Sequence, residues 1–169
     1  MSYDVMISRQ PISAIFDLKG PHTALQEWLG IAFPALPKQI NQQITGDGVC
    51  LCHIGPDHWL LRAEILREEA LKSALMPDRA PSEISIVQIS DSLVFFTIEG
   101  PDAEQIMSIA CPLDLHSTRF DQAFTSFSTA FGVKTLISRM ERGFEIGVDA
   151  SYANMVVDYL ERASLGAVQ

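Results

Sequence analysis

The sequence predicts an α+β fold of two similar halves, with mainly antiparallel sheets and packed helices. Each half mixes short apolar strands with an amphipathic helix. Each half also carries the tripeptide Gly-Pro-Asp, at residues 55–57 and 100–102. We therefore expect one pseudo-duplicated domain, 1–169, with halves of about 1–76 and 84–165.

Glycine and proline separate the elements of the first half. Pro21 opens a predicted helix, which Pro34 and Pro37 end. Residues 46–48 and 55–57 are typical of turns between strands. The predicted strands cover 12–20, 38–45, 48–54 and 58–63, and a second helix covers 64–76. Residues 77–82 read as the connection between the halves.

The second half repeats this order of elements. Its predicted strands cover 84–90, 93–99, 123–131, 133–140 and 144–149. A helix begins after Gly100-Pro101-Asp102, and an irregular loop covers 111–120. We expect Asp149 or Ser151 to cap a last helix over 152–163.

The composition indicates a cytoplasmic protein. The net charge of −9 argues against nucleic acid and anionic membrane surfaces as partners, because both require a basic footprint. The sequence shows no targeting segment and no apolar run long enough to span a membrane. Three cysteines, an odd and small number, fit free thiols in a reducing compartment.

The stretch 48–62, GVCLCHIGPDHWLLR, raises the question of a metal site. In a strand, Cys50 and Cys52 share one face, roughly 7 Å apart, while His53 lies on the other face. Structural zinc sites prefer a turn that brings the thiolates together. We therefore interpret this stretch as a structural strand and expect no metal site. A metal-binding domain built on Cys50, Cys52 and His53 is the alternative.

Other catalytic patterns are weak in this sequence. It contains no P-loop, nucleotide-binding glycine pattern, nucleophile elbow or zinc-protease motif. Cys111 and His116 could form a nucleophile and base, but no adjacent cation favours the Cys111 thiolate. We expect Cys111 to be packed at the end of its helix.

Three stretches together resemble the gamma subunit of heterotetrameric sarcosine oxidases. They are HIGPDHWLLRAE at 53–64, DSLVFFTIEGPDAEQIMSIACPLDLH at 91–116 and RGFEIGVDASYANMVVDYLERA at 142–163. The middle stretch is the most specific, because GPDA opens a helix and C-P-L-D-L follows it. The resemblance covers most of residues 48–163 in order.

This resemblance implies an accessory subunit of a sarcosine oxidase complex. Such a complex oxidatively demethylates sarcosine to glycine, reduces oxygen to peroxide and passes the one-carbon unit to tetrahydrofolate. The resemblance implies alpha, beta and delta subunits as partners, and FAD, FMN, NAD and zinc as cofactors of those other chains. This chain would contribute packing surface and no redox centre.

The chain is also similar to the folate-binding aminomethyltransferase of the glycine cleavage system, whose folate-binding domain the predicted fold resembles. That similarity places Asp114 at the catalytic aspartate and Glu145 at a folate-contacting glutamate. Leu113 stands where that enzyme has an asparagine, and a lone aspartate in a Pro-Leu-Asp-Leu loop is typical of a turn cap. We expect no catalytic or cofactor-binding residue. A stand-alone folate-binding or one-carbon-transfer protein that uses Asp114 and Glu145 is the alternative.

An accessory subunit needs an apolar face for its partners. Two segments, 31–37 and 111–120, are unusually apolar for loops in water. The candidate interface residues are Phe33, Leu36, Leu113, Leu115 and Phe120. We expect at least one of the two segments to be exposed in the isolated chain.

Overall fold

The computed structural model describes residues 3–165. The strands are β1 (Met6–Arg9), β2 (Ser13–Lys19), β3 (Gln43–Gly46), β4 (Val49–Gly55), β5 (His58–Glu64), β6 (Ser85–Gln88), β7 (Leu93–Glu99), β8 (Thr125–Ala130), β9 (Val133–Met140) and β10 (Gly143–Asp149). The α-helices are α1 (His22–Leu29), α2 (Glu68–Leu75), α3 (Ala103–Ala110) and α4 (Ala153–Leu165). Short 3-10 helices cover Gly30–Ala32, Ile65–Arg67, Pro77–Arg79 and Ala150–Tyr152. No helix within residues 3–165 has the length and apolar character that crossing a membrane requires.

The chain divides into two compact units. Residues 12–91 form the first, which we call the central unit. The described parts of 1–11 and 92–169 form the second, which we call the split unit because the central unit interrupts it in sequence.

The central unit is an antiparallel sheet with α1 and α2 packed on one face. The strand order is β3-β4-β5-β2-β6. Because side chains alternate along a strand, Leu51, Trp59 and Leu61 fall on the same face and join one core cluster. Leu25 of α1 and Leu75 of α2 complete that cluster, and both side chains are fully buried.

The split unit repeats this architecture with α3 and α4. Its strand order is β1-β7-β10-β9-β8, and every neighbouring pair is antiparallel. Phe96 of β7 and Phe144 of β10 pack against Met107 of α3 and Leu160 of α4 in a second core cluster. The predicted fold class, a pseudo-duplicated α+β fold with mainly antiparallel sheets, is confirmed.

The units divide the sequence differently from the expected halves of about 1–76 and 84–165. The segment before residue 12 joins the split unit, because Met6 pairs with Glu99 along β1 and β7. Strand β6 joins the central unit, because Gln88 pairs with Phe16 of β2. Strand pairing over a long sequence separation therefore sets the boundaries, and the linker-like segment 77–82 lies inside the central unit.

Candidate functional site

The second Gly-Pro-Asp tripeptide joins β7 to α3 and holds the N-terminal strand. Gly100 has φ +136, and a Cβ at this position would lie 2.3 Å from the carbonyl oxygen of Asp4. Only glycine fits that approach without a backbone shift. The backbone N–H of Asp4 donates to Oδ2 of Asp102 at 2.8 Å. The tripeptide therefore anchors the N-terminal segment at Asp4 to the start of α3.

The loop from 111 to 120 follows α3 and packs inward. Leu115 and Phe120 are 3% and 5% exposed and belong to the core cluster of the split unit. The guanidinium of Arg139 donates from Nη1 to the carbonyl oxygen of Leu115 at 3.2 Å. This hydrogen bond satisfies a backbone acceptor that would otherwise favour water, so the apolar side chains turn inward. Leu113 is half-buried against the same cluster.

The segment from 31 to 37 is anchored in a similar way in the central unit. The backbone N–H of Leu36 donates to Oε1 of Gln26 at 2.7 Å, and Trp59 Nε1 donates to the carbonyl oxygen of Pro37 at 3.0 Å. Phe33 and Leu36 are 8% and 2% exposed and lie in the core cluster. Ile31, by contrast, is fully exposed.

We expected at least one of the two segments to be exposed, but four of the five interface candidates in them are buried within the chain. Phe33, Leu36, Leu115 and Phe120 are core residues, because side chains elsewhere in each unit hydrogen-bond to the backbone of their loops and the apolar side chains fill the space beneath the helices. Leu113 and its half-buried side chain stay a candidate contact.

Asp114 lies on the surface of the 111–120 loop. Its Oδ1 accepts a hydrogen bond from the backbone N–H of His116 at 3.1 Å. Nδ1 of His116 lies 2.9 Å from Oγ1 of Thr118. An aspartate that accepts from the N–H two residues later forms an Asx turn, which is the capping role typical of this residue type.

Glu145 lies in the middle of β10 and is half-buried. It pairs with Thr97 of β7 and Ser138 of β9. Its neighbours Phe144 and Ile146 point into the core cluster, so Glu145 extends from the opposite face of the sheet.

Sequence reasoning did not identify the polar row around Glu145. Thr97, Thr125 and Ser138 are buried, with 5%, 0% and 8% of each residue exposed. Oγ1 of Thr125 lies 2.8 Å from Oγ of Ser138, and Nε2 of Gln10 donates to Oγ1 of Thr97 at 3.1 Å. The sequence feature that could have revealed this row is a polar residue within the apolar runs of two strands, Thr97 in β7 and Ser138 in β9.

Asp114 and Glu145 lie on different elements of the split unit, the 111–120 loop and β10. Asp114 precedes Leu115, which packs on the helix-covered face, whereas Glu145 extends from the other face. A cavity of about 620 Å³ opens beside Arg139, and within residues 3–165 its wall includes Glu104 and Phe144 but neither Asp114 nor Glu145. A folate site needs convergent polar groups in one pocket, and neither of these two carboxylates lines this cavity.

Arg139 contacts the loop, the sheet and α3 in this region. Its guanidinium carbon lies 4.7 Å from the centroid of the Phe144 ring, and its Nη2 lies 3.6 Å from Oε2 of Glu104. Only 14% of the Arg139 side chain is exposed. These contacts fix the loop, the sheet and α3 to one another.

A carboxylate with a lowered pKa, Asp149, lies at the start of the last helix. Asp149 Oδ1 accepts from the hydroxyl and from the backbone N–H of Ser151, at 2.5 and 2.9 Å. Both hydrogen bonds favour the carboxylate and lower the pKa of Asp149 below its ordinary value. The predicted cap at Asp149 is confirmed, at the 3-10 turn that leads into α4.

In β4, the distance between the two cysteine sulfur atoms differs from the predicted one. The Sγ atoms of Cys50 and Cys52 are 3.8 Å apart, because the two side chains lean together on one face of β4. The expected spacing of roughly 7 Å is therefore wrong for the sulfur atoms. His53 lies on the other face as predicted, stacked on Trp59 with 4.4 Å between ring centroids.

Cys111 and His116, the candidate nucleophile and base, do not form a catalytic pair. Cys111 is 7% exposed and packs in the core cluster, whereas His116 is exposed. Within residues 3–165, no group of three or more His, Cys, Asp or Glu side chains is arranged to hold a metal ion.

Comparisons with known proteins agree with the resemblance inferred from the sequence. No protein-family model matches the chain. The chain is 26% identical over 140 residues to sarcosine oxidase subunit gamma of Corynebacterium sp. (strain U-96). The aligned region covers 82% of this chain and 66% of that subunit. It is 28% identical over 106 residues to an aminomethyltransferase of Anoxybacillus flavithermus, covering 60% of this chain and 29% of that enzyme. The chain thus spans just under two thirds of the first relative and less than a third of the second.

Two solved structures show the same fold. Heterotetrameric sarcosine oxidase from Corynebacterium sp. U-96, in complex with pyrrole 2-carboxylate, contains a chain that superposes with a TM-score of 0.80 at 24% identity. The match covers 98% of this chain and 88% of that one. Glycine cleavage system aminomethyltransferase T from Bartonella henselae superposes with a TM-score of 0.70 at 16% identity, covering 94% of this chain and 46% of that one. The predicted resemblance to sarcosine oxidase gamma subunits, with aminomethyltransferases as further relatives, is confirmed.

Proposed function

We propose that this chain is an accessory, gamma-type subunit of a cytoplasmic heterotetrameric sarcosine oxidase. The observation that carries this proposal is the similarity to a sarcosine oxidase gamma subunit along 82% of the chain. In this role the chain supplies surface to alpha, beta and delta subunits. Those chains hold FAD, FMN, NAD and zinc, and the assembled complex demethylates sarcosine to glycine and transfers the one-carbon unit to tetrahydrofolate.

The geometry of the chain supports a structural role over an independent catalytic one. Asp114 holds an Asx turn, and Glu145 extends from a different face of the sheet. Arg139 binds a backbone carbonyl and the Phe144 ring, so its charge stabilises the fold of the loop. The carboxylates that an aminomethyltransferase-like reaction would need are therefore separated or engaged in local contacts.

Co-expression tests this proposal. The tagged chain is produced together with candidate alpha, beta and delta subunits from the same genome and purified through its tag. We expect the four chains to elute together in size-exclusion chromatography and to oxidise sarcosine with release of peroxide. Elution of the tagged chain alone, with a sarcosine-oxidising complex in the untagged fraction, would contradict the proposal.

A stand-alone folate-binding or one-carbon-transfer protein is the second candidate. It is favoured by the 28% identity to an aminomethyltransferase and by the buried polar row beside Glu145. In this alternative, Glu145 with Thr97 and Ser138 would form one wall of a folate site. Isothermal titration calorimetry with tetrahydrofolate distinguishes the two candidates, because only the stand-alone protein is expected to bind it tightly.

A further inference from the structure

A groove in the split unit exposes apolar side chains between the C-terminal ends of α3 and α4. Its volume is about 640 Å³. Ile109 of α3 and Tyr159 of α4 are 58% and 48% exposed there. Contiguous apolar surface of this kind on a folded chain marks a site that another molecule covers. We call it the α3–α4 groove, and its lining includes Tyr3, Ile109, Phe131, Tyr159, Arg162 and Ala163.

The core of the split unit is complete without these side chains. Met107 of α3 and Leu160 of α4 are fully buried and pack in the core cluster. Successive helical positions point in different directions, so Ile109 and Tyr159 lie outside the face that packs on the sheet. Folding of the unit therefore leaves the groove open.

Phe131 forms one wall of the groove in a backbone conformation that rarely carries a large side chain. It has φ +53 in the β8–β9 turn, and Gly132 follows with φ +80. Glycine and asparagine adopt such two-residue turns at lower cost. The Phe131 ring stacks on Tyr159, with 6.4 Å between ring centroids and 19° between ring planes. The wall of the groove, rather than the turn, thus accounts for phenylalanine at this position.

The N-terminal segment forms a further wall and is fixed to both helices. The backbone N–H of Tyr3 donates to the carbonyl oxygen of Ser164 in α4 at 2.9 Å. The backbone N–H of Asp4 donates to Oδ2 of Asp102, directly before α3, at 2.8 Å. The groove is therefore preformed, so that binding a partner costs little ordering of the chain.

Arg162 supplies the only charge among the described residues that line the groove. No ion pair within residues 3–165 involves its guanidinium. Tyrosine and arginine beside apolar side chains are the residue types that dominate binding energy at protein interfaces. Covering Arg162 with an apolar partner removes water from its charge, so the covered state requires a carboxylate that pairs with it.

A second copy of this chain does not supply that carboxylate. A two-fold interface uses the same surface twice, so the groove would lie against the groove of the other copy. Two Arg162 guanidiniums would then approach each other, and none of the described lining residues is acidic. The charge of the groove thus favours a different chain that carries an acidic residue.

We propose that the α3–α4 groove docks a segment of another oxidase subunit that presents an apolar side chain beside a carboxylate. The apolar side chain packs against Phe131 and Tyr159, and the carboxylate pairs with Arg162. This inference rests on the proposed accessory role and gives that role a contact surface, since Phe33 and Leu115 of the expected interface are buried.

Titration of the full chain onto an immobilised complex of alpha, beta and delta subunits tests this surface. We expect Ile109→Asp and Arg162→Glu each to weaken binding at least about tenfold, as substitutions at central interface residues do. Arg79→Glu makes the same charge change at an exposed position of the central unit, and this matched control should bind like the wild type. Urea unfolding checks that the variants are folded, which the exposure of Ile109 and Arg162 favours.

The two possible failures are distinguishable. If the wild-type chain binds and both Ile109→Asp and Arg162→Glu bind equally well, the docking site is wrong and the accessory role stands. If the wild-type chain itself does not bind, the accessory role is contradicted.

Salt dependence and cross-linking test the chemistry of the occupant. Raising the ionic strength should weaken binding of the wild type more than that of Arg162→Met, because only the wild type has an ion pair to screen. Ile109→p-benzoylphenylalanine is irradiated in the complex, and the cross-linked peptides are identified by mass spectrometry. We expect a cross-link to an apolar, acid-containing segment of the alpha, beta or delta subunit. A cross-link between two copies of this chain, or equal salt dependence of the wild type and Arg162→Met, would overturn the proposal.

Discussion

The guanidinium of Arg139 donates to the carbonyl oxygen of Leu115 at 3.2 Å while its carbon lies 4.7 Å from the centroid of the Phe144 ring. One side chain from β9 thereby holds the loop that carries Asp114 against the face that carries Phe144. The position that resembles a catalytic aspartate is thus part of a packed structural element.

Replacing Arg139 by methionine is expected to lower the free energy of unfolding by about 1–3 kcal/mol. The variant keeps much of the aliphatic packing but removes the donor to Leu115 and the charge over Phe144, and a hydrogen bond to a charged group contributes about that much. Urea denaturation provides the measurement. Arg142→Met is the matched control, because Arg142 is exposed in the β9–β10 turn. Equal effects of the two substitutions would contradict this role for Arg139.

Truncating Leu115 to alanine is expected to destabilise the chain by about 2–5 kcal/mol, since a buried leucine leaves a cavity. Leu113→Ala in the same loop is the comparison, and its half-buried side chain should give a clearly smaller loss. Thermal and urea unfolding of both variants measure the difference. If Leu115→Ala unfolds no more easily than Leu113→Ala, Leu115 is not the core residue that the structure describes.

Replacing His53 by leucine is expected to leave the free energy of unfolding unchanged or to raise it. His53 is 5% exposed, and neither ring nitrogen has a hydrogen-bond partner among the described residues. Leaving such groups unpaired costs about 1–3 kcal/mol, so His53→Leu, which keeps an apolar contact with Trp59, should be neutral or stabilising. His53→Ala removes that contact and should destabilise. A shift of the urea midpoint distinguishes these outcomes, and a large loss of stability in His53→Leu would reveal a polar partner for the imidazole.

Tetrahydrofolate is expected to bind the isolated chain weakly or not at all. Asp114 caps an Asx turn, Glu145 extends from another face, and Leu113 replaces the asparagine that the aminomethyltransferase resemblance calls for. Isothermal titration calorimetry of the wild type measures the affinity. A micromolar Kd that is lost in Asp114→Ala or Glu145→Ala would support the folate-binding alternative.

The sequence predicts local structure well where periodicity and turn residues agree. The strand 144–149 and the turn 55–57 follow from alternation and from Gly-Pro-Asp, and the structure has β10 and the β4–β5 turn there. Strand β1 was not predicted. Its four residues have no strong alternation, and its partner β7 lies about ninety positions later, so the pairing decides the structure.

Side-chain placement was harder to predict than the order of the elements. Leu115 and Phe33 lie in irregular loops. Their burial depends on hydrogen bonds that the side chains of Arg139 and Gln26 make to the loop backbone, and nothing in the sequence marks these two residues as partners. The approach of Cys50 to Cys52 depends on side-chain rotamers, which strand spacing alone does not give. The faces of Glu145 and His53 follow from simple alternation along their strands.

Stepwise reconstitution tests whether this chain is an accessory subunit without a redox centre. The alpha, beta and delta subunits are prepared without this chain, the purified chain is added, and native mass spectrometry and flavin absorbance are recorded. We predict that the assembly gains the 18.7 kDa of this chain and no additional flavin per complex. An assembly whose mass does not change on addition of the chain would rule out the accessory role, and a chain that brings flavin of its own would show that it holds a redox centre.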